Sequence, residues 1–218
     1  MLRRWVALLV AFGLVGLVVV LLWTPVLGVR SVDVVGVRDL TTAQVVAAAD
    51  IRPGTPMLRL DTTGITIRVG VLPRVASVDV SREWPSTVLI TVTERDPVGV
   101  LAESDGTHLV DSTGFDYATV TSAPAGLPKV LLPSASPADP RTQAVVRVLA
   151  VLPAQLRTEL TTISAPTPGS VTLALADGKT IRWGDAADSA RKAAVLGALM
   201  TRPGKIYDVS SPDLPTIS

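Results

Sequence analysis

One long apolar run opens the chain, and shorter segments of mixed polarity follow it. From Trp5 to Leu22 the sequence has eighteen residues without a charge or a strongly polar group. At 1.5 Å per residue, a helix of that length spans about 27 Å, close to the hydrocarbon thickness of a bilayer. Trp5 and Trp23 stand at its two ends, where indoles favour the membrane interface. The pattern predicts a transmembrane helix over residues 5–23.

A cleavable secretory signal is the alternative interpretation of this run. Such a signal has an apolar stretch of about 7–15 residues and a small-residue cleavage site. The run here is longer and continues into Trp23-Thr24-Pro25-Val26-Leu27, which favours an uncleaved anchor. Arg3 and Arg4 precede the run, and the next positive charge is Arg30. Because positive residues stay inside, we expect residues 1–4 to be a short cytoplasmic tail and the bulk to be extracytoplasmic.

Beyond the anchor, the polarity pattern predicts a small domain of strands and helices. Val32 to Val37 is rich in β-branched residues, as a strand requires, and Thr41 is a suitable N-cap for a short helix. Residues 76–82 and 87–94 alternate between apolar and polar positions and are joined by a turn at residues 83–86. These two segments predict a hairpin with one buried face.

The stretch from residue 61 to residue 72 is compatible with two structures. Alternation along it suits a strand, with apolar residues at Ile65, Ile67, Val69 and Val71. Helical spacing is also present, with Asp61 as a cap, Pro73 as a stop, and apolar residues at Ile65, Val69 and Leu72. Period alone favours the strand.

The pattern breaks at residues 95–97, which we take as a domain boundary. Beyond it, alternation predicts short strands at residues 98–101, 107–110, 115–120, 171–175, 179–183 and 205–209. Asp139 and Asp188 each precede a helical pattern as potential N-caps, and those helices run to about residues 152 and 200. The last nine residues contain two prolines and three serines, and residues 212–218 are expected to be frayed. The predicted fold class is α+β.

Composition narrows the chemistry that this chain can perform. Cysteine is absent, there is a single histidine, His108, and the net charge is +1. These values argue against thiolate or histidine-rich metal sites, cysteine nucleophiles and nucleic-acid binding, and we predict neither a cofactor nor a metal. Ser189 and Lys192 have the spacing of a Ser-x-x-Lys dyad, but on a helix that looks surface-exposed. We interpret His108 as structural, since its strand shows no obvious acidic partner.

Several motifs in a fixed order resemble those of the FtsQ/DivIB family of bacterial cell-division proteins. They are Leu72-Pro73-Arg74-Val75, residues 77–85 with Trp84-Pro85, residues 92–98 with Glu94-Arg95-Asp96-Pro97, residues 109–114, residues 175–184 and residues 206–210. The resemblance extends from the anchor to Ser211. One departure is Gly36-Val37, where the family often has Gly-Asn.

The resemblance implies a domain plan and a function. A POTRA domain of β-α-α-β-β topology would occupy residues 29–97, which makes residues 61–72 its second helix. A mostly antiparallel C-terminal β domain with flanking helices would occupy residues 98–211. The family resemblance implies a single-pass, non-enzymatic scaffold in the cell membrane at the septum. It would bind division proteins of the FtsB and FtsL type, would contact other membrane proteins of the divisome through POTRA, and would help control septal peptidoglycan synthesis.

The expected mode of partner binding is the addition of a strand to an open sheet edge. The candidate residues lie in the terminal strand, with Tyr207 as an aromatic anchor: Tyr207, Asp208, Val209, Ser210 and Ser211. Glu94, Arg95 and Pro97 mark the interdomain joint, where charges are expected to be solvated or paired. The alternatives are a POTRA-containing accessory protein of transport or secretion and a membrane-anchored hydrolase.

Overall fold

The computed structural model describes residues 2–23 and 27–218 and divides the chain into two compact units. The first unit ends at Arg95 and the second extends from Asp96 to Ser218. The first helix, α1, covers Leu2–Trp23, so residues 2–4 continue the helix. Among the described residues, no helix meets both the length and the apolarity required of a membrane span.

The first unit contains the predicted β-α-α-β-β order. Its elements are β1 (Ser31–Val35), α2 (Thr42–Ala49), α3 (Thr62–Gly70), β2 (Val75–Glu83) and β3 (Thr87–Glu94), with a 3-10 turn at Met57–Arg59 between the helices. The sheet order is β1-β3-β2. β1 runs parallel to β3, and β2 runs antiparallel to it. The core lies between the sheet and the two helices and includes Val45, Ile65, Val69, Val88 and Ile90.

Side-chain caps determine where both helices of this unit begin. Thr41 accepts a hydrogen bond from the Gln44 amide, and the Gln44 side chain accepts one from the Thr41 amide, which forms a capping box. Asp61 Oδ1 accepts a hydrogen bond from the Gly64 amide at 2.9 Å. Residues 62–70 are therefore helical, and the strand that alternation favoured for this stretch is wrong.

The second unit contains a nine-stranded sheet with three helices. Its strands are β4 (Pro97–Glu103), β5 (Gly106–Asp111), β6 (Asp116–Val120), β7 (Lys129–Leu131), β8 (Leu160–Ser164), β9 (Val171–Leu175), β10 (Thr180–Gly184), β11 (Ile206–Asp208) and β12 (Thr216–Ile217). Their order is β12-β11-β10-β9-β8-β7-β4-β5-β6. Most neighbours are antiparallel, as predicted, but β7 pairs parallel with β4 and β8, and β10 pairs parallel with β11.

Three helices accompany this sheet: α4 (Pro140–Val151), α5 (Ala154–Glu159) and α6 (Ser189–Leu199). Asp139 caps α4 as expected, accepting hydrogen bonds from the amides of Arg141 and Thr142. Asp188 stands at the N-cap position of α6, but it has a left-handed φ of 50° and no side-chain cap, so that part of the prediction is wrong. The largest side chains of the core are Trp183 and Tyr207, both fully buried.

Candidate functional site: the C-terminal sheet margin

The predicted partner-binding residues lie on and just after β11, near one margin of the nine-stranded sheet. β11 pairs in parallel with β10, with Tyr207 opposite Ile181 and Asp208 opposite Arg182. The Val209 amide donates to the Arg182 carbonyl at 2.9 Å, which continues that ladder by one residue. The inner side of β11 is therefore fixed within the sheet.

The outer side of β11 is covered by the chain itself. β12 pairs antiparallel with β11, with Tyr207 opposite Ile217 and Asp208 opposite Thr216. The Ser218 amide donates to the Ile206 carbonyl at 3.0 Å, and the Ile206 amide donates to the Ser218 carbonyl at 2.8 Å. The expectation of an open edge at β11 is thus wrong, and so is the expectation that residues 212–218 are frayed.

A close backbone approach at Gly204 lets β12 lie against this margin. A Cβ atom at residue 204 would clash with Cγ2 of Ile217. Ile217 is half-buried and packs against the core of the unit. The composition of this tail, rich in turn residues, predicted disorder. The tail is instead held in place by the apolar packing of Ile217 and by its backbone pairing with β11.

Tyr207 belongs to the core of the sheet. It is fully buried, and its Oη donates to the Arg202 carbonyl at 2.8 Å. Val209 is also fully buried. Neither side chain offers surface to a partner, so the expectation of an exposed aromatic anchor is wrong.

The other three candidate residues form a polar turn at the end of β11. Asp208 is half-buried, and its Oδ1 accepts hydrogen bonds from the Ser210 amide at 3.0 Å and the Ser210 hydroxyl at 2.6 Å. Ser210 and Ser211 are both exposed at the surface. The margin therefore presents short polar side chains, and any recognition there depends mainly on backbone hydrogen bonds.

The segment between β11 and β12 is a turn whose tip is exposed. The Leu214 amide donates to the Ser211 carbonyl at 3.0 Å, while the Leu214 side chain is 80% exposed. Asp213 forms an exposed ion pair with Arg191 of α6. Exposed pairs of this kind contribute little stability, so the turn is held mainly by β12.

Glu94, one of the three predicted joint residues, is buried at the end of β3. Its carboxylate accepts hydrogen bonds from the backbone amides of Arg38, Asp39 and Leu40, the shortest at 2.6 Å. Burial, the largest single influence, raises the pKa of Glu94, but the three backbone donors together outweigh it and hold the pKa below its ordinary value. Glu94 therefore fastens the loop after β1 to the end of the sheet.

The other two joint residues form hydrogen bonds or strand pairs within separate units. Arg95 Nε donates to the Pro73 carbonyl at 3.0 Å, and the Arg95 amide donates to the Arg74 carbonyl at 2.8 Å. Pro97 begins β4 and pairs with Asp111. Of the two residues predicted to orient the chain in a membrane, Arg4 is exposed, and the Arg3 side chain lies outside the described residues.

His108 has two carboxylate partners that the sequence reasoning missed. Nδ1 lies 2.5 Å from Asp116 Oδ2, and Nε2 lies 2.9 Å from Asp105 Oδ1. These two hydrogen bonds, that of Asp116 first, raise the pKa of His108 to about 8. Glu103, Asp105 and His108 bring ligand atoms within 4.8 Å of one another. Because hydrogen bonds to carboxylates engage both imidazole nitrogens, we assign this cluster to folding.

Ser189 and Lys192 are buried, contrary to the expectation of a surface-exposed helix. Lys192 Nζ donates to Asp185 Oδ1 at 2.6 Å and to the Asp185 carbonyl at 3.0 Å. Ser189 Oγ accepts from Trp183 Nε1 at 3.1 Å and donates to the Ala186 carbonyl at 3.0 Å. Both side chains fasten the loop that precedes α6.

Comparison with known proteins assigns both units to one family. The family model for the POTRA domain, FtsQ-type, matches residues 27–95, and the model for the FtsQ/DivIB C-terminal region matches residues 100–214. The chain belongs to the FtsQ/DivIB family of cell-division proteins. The resemblance found in the short sequence motifs is confirmed.

Curated relatives of this FtsQ/DivIB chain carry the name cell division protein FtsQ. That of Mycobacteroides abscessus is 44% identical over 96% of this chain and 67% of its own length. That of Mycobacterium tuberculosis is 42% identical over 93% and 64%. That of Streptomyces venezuelae is 39% identical over 97% and 83%. The chain thus spans about two thirds of the length of its mycobacterial relatives.

A solved structure of the extracytoplasmic domain of DivIB from Geobacillus stearothermophilus shows a weaker similarity. It covers 50% of this chain and 93% of its own, with 18% identity and a TM-score of 0.37.

Proposed function

We propose that this FtsQ/DivIB chain is a non-enzymatic scaffold of the division septum. Its two units would lie outside the cell and hold other division proteins in place, and so help control septal peptidoglycan synthesis. Family membership of both units supports this proposal. The dyad-like Ser189 and Lys192 are buried and engaged in loop contacts, so they do not favour the hydrolase alternative.

We further propose that residues 5–23 anchor the chain in the membrane, with the N-terminus inside. The eighteen-residue apolar run supports this, and so does the position of Arg3 and Arg4 before it. Large apolar side chains of α1 are also exposed, among them Leu9 at 72% and Phe12 at 82%. Exposed apolar side chains along a helix are stable where lipid surrounds them.

The proposed partner site is the outer side of β11, reached by exchange of β12. The observation that carries this proposal is the length of β12: two residues cover a margin to which a longer strand could bind. A partner segment that replaced Thr216–Ser218 would form backbone hydrogen bonds with β11 and reach the polar turn at Ser210 and Ser211. Family resemblance points to a partner of the FtsB type, with FtsL beside it.

Removal of the covering segment tests this proposal. We expect a chain that ends at Ser211 to bind an FtsB-type partner about tenfold more tightly than the full chain, if β12 covers the margin about nine tenths of the time. Leu214→Ala is the matched control, because it changes the exposed turn and leaves β12 in place. Affinity is measured by calorimetry in detergent, with circular dichroism to verify folding. Loss of binding on truncation would refute the exchange.

A proline at Val209 would be a poor test of the same margin. It would remove the Val209 amide that donates to the Arg182 carbonyl inside the sheet. A loss of binding would then reflect a disturbed core. A change in the segment that covers β11 is therefore a better test than a change in β11 or the residue after it.

A further inference from the structure

We propose that the tip of the POTRA unit around Trp84 binds the anionic headgroup layer of the membrane that holds α1. The tip is defined as residues 28–30, 55–60 and 82–86. This inference rests on the proposed anchor and goes beyond it, because it gives the POTRA unit a second, peripheral contact with the same membrane.

Hydrogen bonds bring the segments of the tip together at one end of the sheet. The Arg30 amide donates to the Ser86 carbonyl at 2.8 Å, so the turn between β2 and β3 lies beside the first residues of β1. Gly28 forms a bridge with Pro56, and Arg82 Nη2 donates to the Leu60 carbonyl at 2.6 Å. The 3-10 turn at Met57–Arg59 therefore belongs to the same end.

Chain length places this end of the unit close to the anchor. Arg30 is seven residues after Trp23 in the sequence. An extended chain covers at most about 3.6 Å per residue, so the two residues lie at most about 25 Å apart. The register of the sheet sets Ser31 opposite Thr87, directly after the turn that carries Trp84. Of the two ends of the sheet, the one with Trp84 is thus the end joined to the anchor.

The surface of the tip has the chemistry of a membrane interface. Trp84 is 53% exposed and Leu58 is 49% exposed, although both are large apolar side chains. The same segments expose three arginines, Arg30, Arg59 and Arg82, against the one carboxylate of Glu83. Indole rings favour the headgroup region, and clustered arginines near an anchor are attracted to anionic lipid. Residue type, exposure and charge therefore favour lipid as the occupant.

The opposite end of the unit supplies a matched control position. Val71 is 75% exposed and lies just before β2, whose first residue, Val75, pairs with Glu94 at the far end of β3. The nine residues of β2 separate the two ends by about 27 Å. A tryptophan at residue 71 therefore gives the signal of a water-exposed indole, away from the proposed lipid contact, under the same conditions.

Fluorescence quenching of the full chain in lipid nanodiscs tests the proposal. The reporter form carries Trp5→Phe and Trp23→Phe, and the signal of Trp84 is its difference from the same form with Trp84→Phe. Buried Trp183 is common to both and cancels. With brominated acyl chains and about 30% phosphatidylglycerol, we expect quenching of the Trp84 signal by about half, and clearly less in zwitterionic discs or after Arg30→Glu.

The outcomes separate this inference from the proposed anchor. Val71→Trp in the Trp84→Phe form should stay unquenched. The signal of Trp5 is the difference between the native chain and its Trp5→Phe variant. If Trp5 is quenched while Trp84 is not, the anchor stands and the lipid contact is refuted. If Trp84 becomes shielded from aqueous iodide only when a partner protein is added, the tip is a protein-binding surface and the inference is overturned. If Trp5 is unquenched, both proposals fall.

Discussion

The POTRA unit and the C-terminal unit each bury a charged side chain that fastens a loop. In the POTRA unit, Glu94 accepts hydrogen bonds from three backbone amides that lie 54 to 56 residues earlier in the chain. In the C-terminal unit, Lys192 donates to the side chain and carbonyl of Asp185, seven residues earlier. The first contact joins segments that are far apart in the sequence, and the second joins neighbouring segments.

The two contacts also differ in what remains when the charge is lost. The amides around Leu40 lie at a buried or half-buried position and would be left without acceptors. The Asp185 side chain is 58% exposed and could return to water. A buried polar group without a partner is costly, whereas a solvated one is not. The stability lost when a buried charged side chain is removed should therefore depend on how deeply its partners are buried. The following substitutions test this, from the largest expected effect to the smallest.

Glu94→Ala should have the largest effect on stability. It leaves three backbone donors without their acceptor, and we expect a loss of about 3–5 kcal/mol in the free energy of unfolding. Chemical denaturation gives the value, and hydrogen exchange shows whether protection is lost in the POTRA unit. Glu94→Gln keeps an acceptor oxygen and should lose about half as much, and Glu83→Ala, at an exposed position, should change little. Equal losses for Glu94→Ala and Glu83→Ala would contradict this role of Glu94.

His108 should give an intermediate, pH-dependent effect. Its pKa is raised to about 8 by Asp116 and Asp105, so its contribution is complete below pH 6.5 and is lost as pH rises through 8. The shift corresponds to about 2 kcal/mol, which we reduce to about 1 kcal/mol because water reaches one of the carboxylates. Urea denaturation from pH 6 to 9 measures it. His108→Gln should remove this pH dependence, and an unchanged slope would argue against the pairing.

Lys192→Met should have the smallest effect. The methionine fills a similar volume without a charge, and Asp185 can be hydrated, so we expect a change below about 1 kcal/mol. Thermal unfolding of the full chain measures it, with the exposed Lys205→Met as control. A loss comparable to that of Glu94→Ala would show that the Asp185 loop is as important to its unit as the loop near Leu40 is to the other.

Local signals predicted the elements best where a cap or a turn marked them. Thr41 and Asp139 both cap helices as expected. The hairpin predicted at residues 76–94 forms, and the strands predicted at residues 171–175 and 179–183 form at or within one residue of those positions. For residues 62–70 the spacing of apolar residues predicted a strand, which was wrong. Ile67 is an exposed apolar residue, and it completes an alternating pattern that is typical of a strand. The short β7 and α5 carry too few residues for any periodicity to be visible.

The site was predicted only in part, because its decisive feature is a contact between distant segments. The motif near Tyr207 identified strand β11, but burial of the Tyr207 ring depends on the packing of the whole sheet. Thr216 and Ile217 pair with β11, but the sequence of this tail gives no signal of that pairing, because it is rich in turn residues. The carboxylates around His108 were present in the sequence, and a strand-pairing prediction could have brought Asp116 to it.

The two-residue strand at the margin makes the chain its own competitor for incoming segments. Since it is tethered by a turn of only a few residues, it is present at a high effective concentration and rebinds quickly after each opening. A free peptide of equal affinity would rarely displace it. If the chain is the membrane-anchored scaffold proposed above, a partner held in the same membrane would have a comparable local concentration. The margin would then select for neighbours already assembled at the septum over soluble strands.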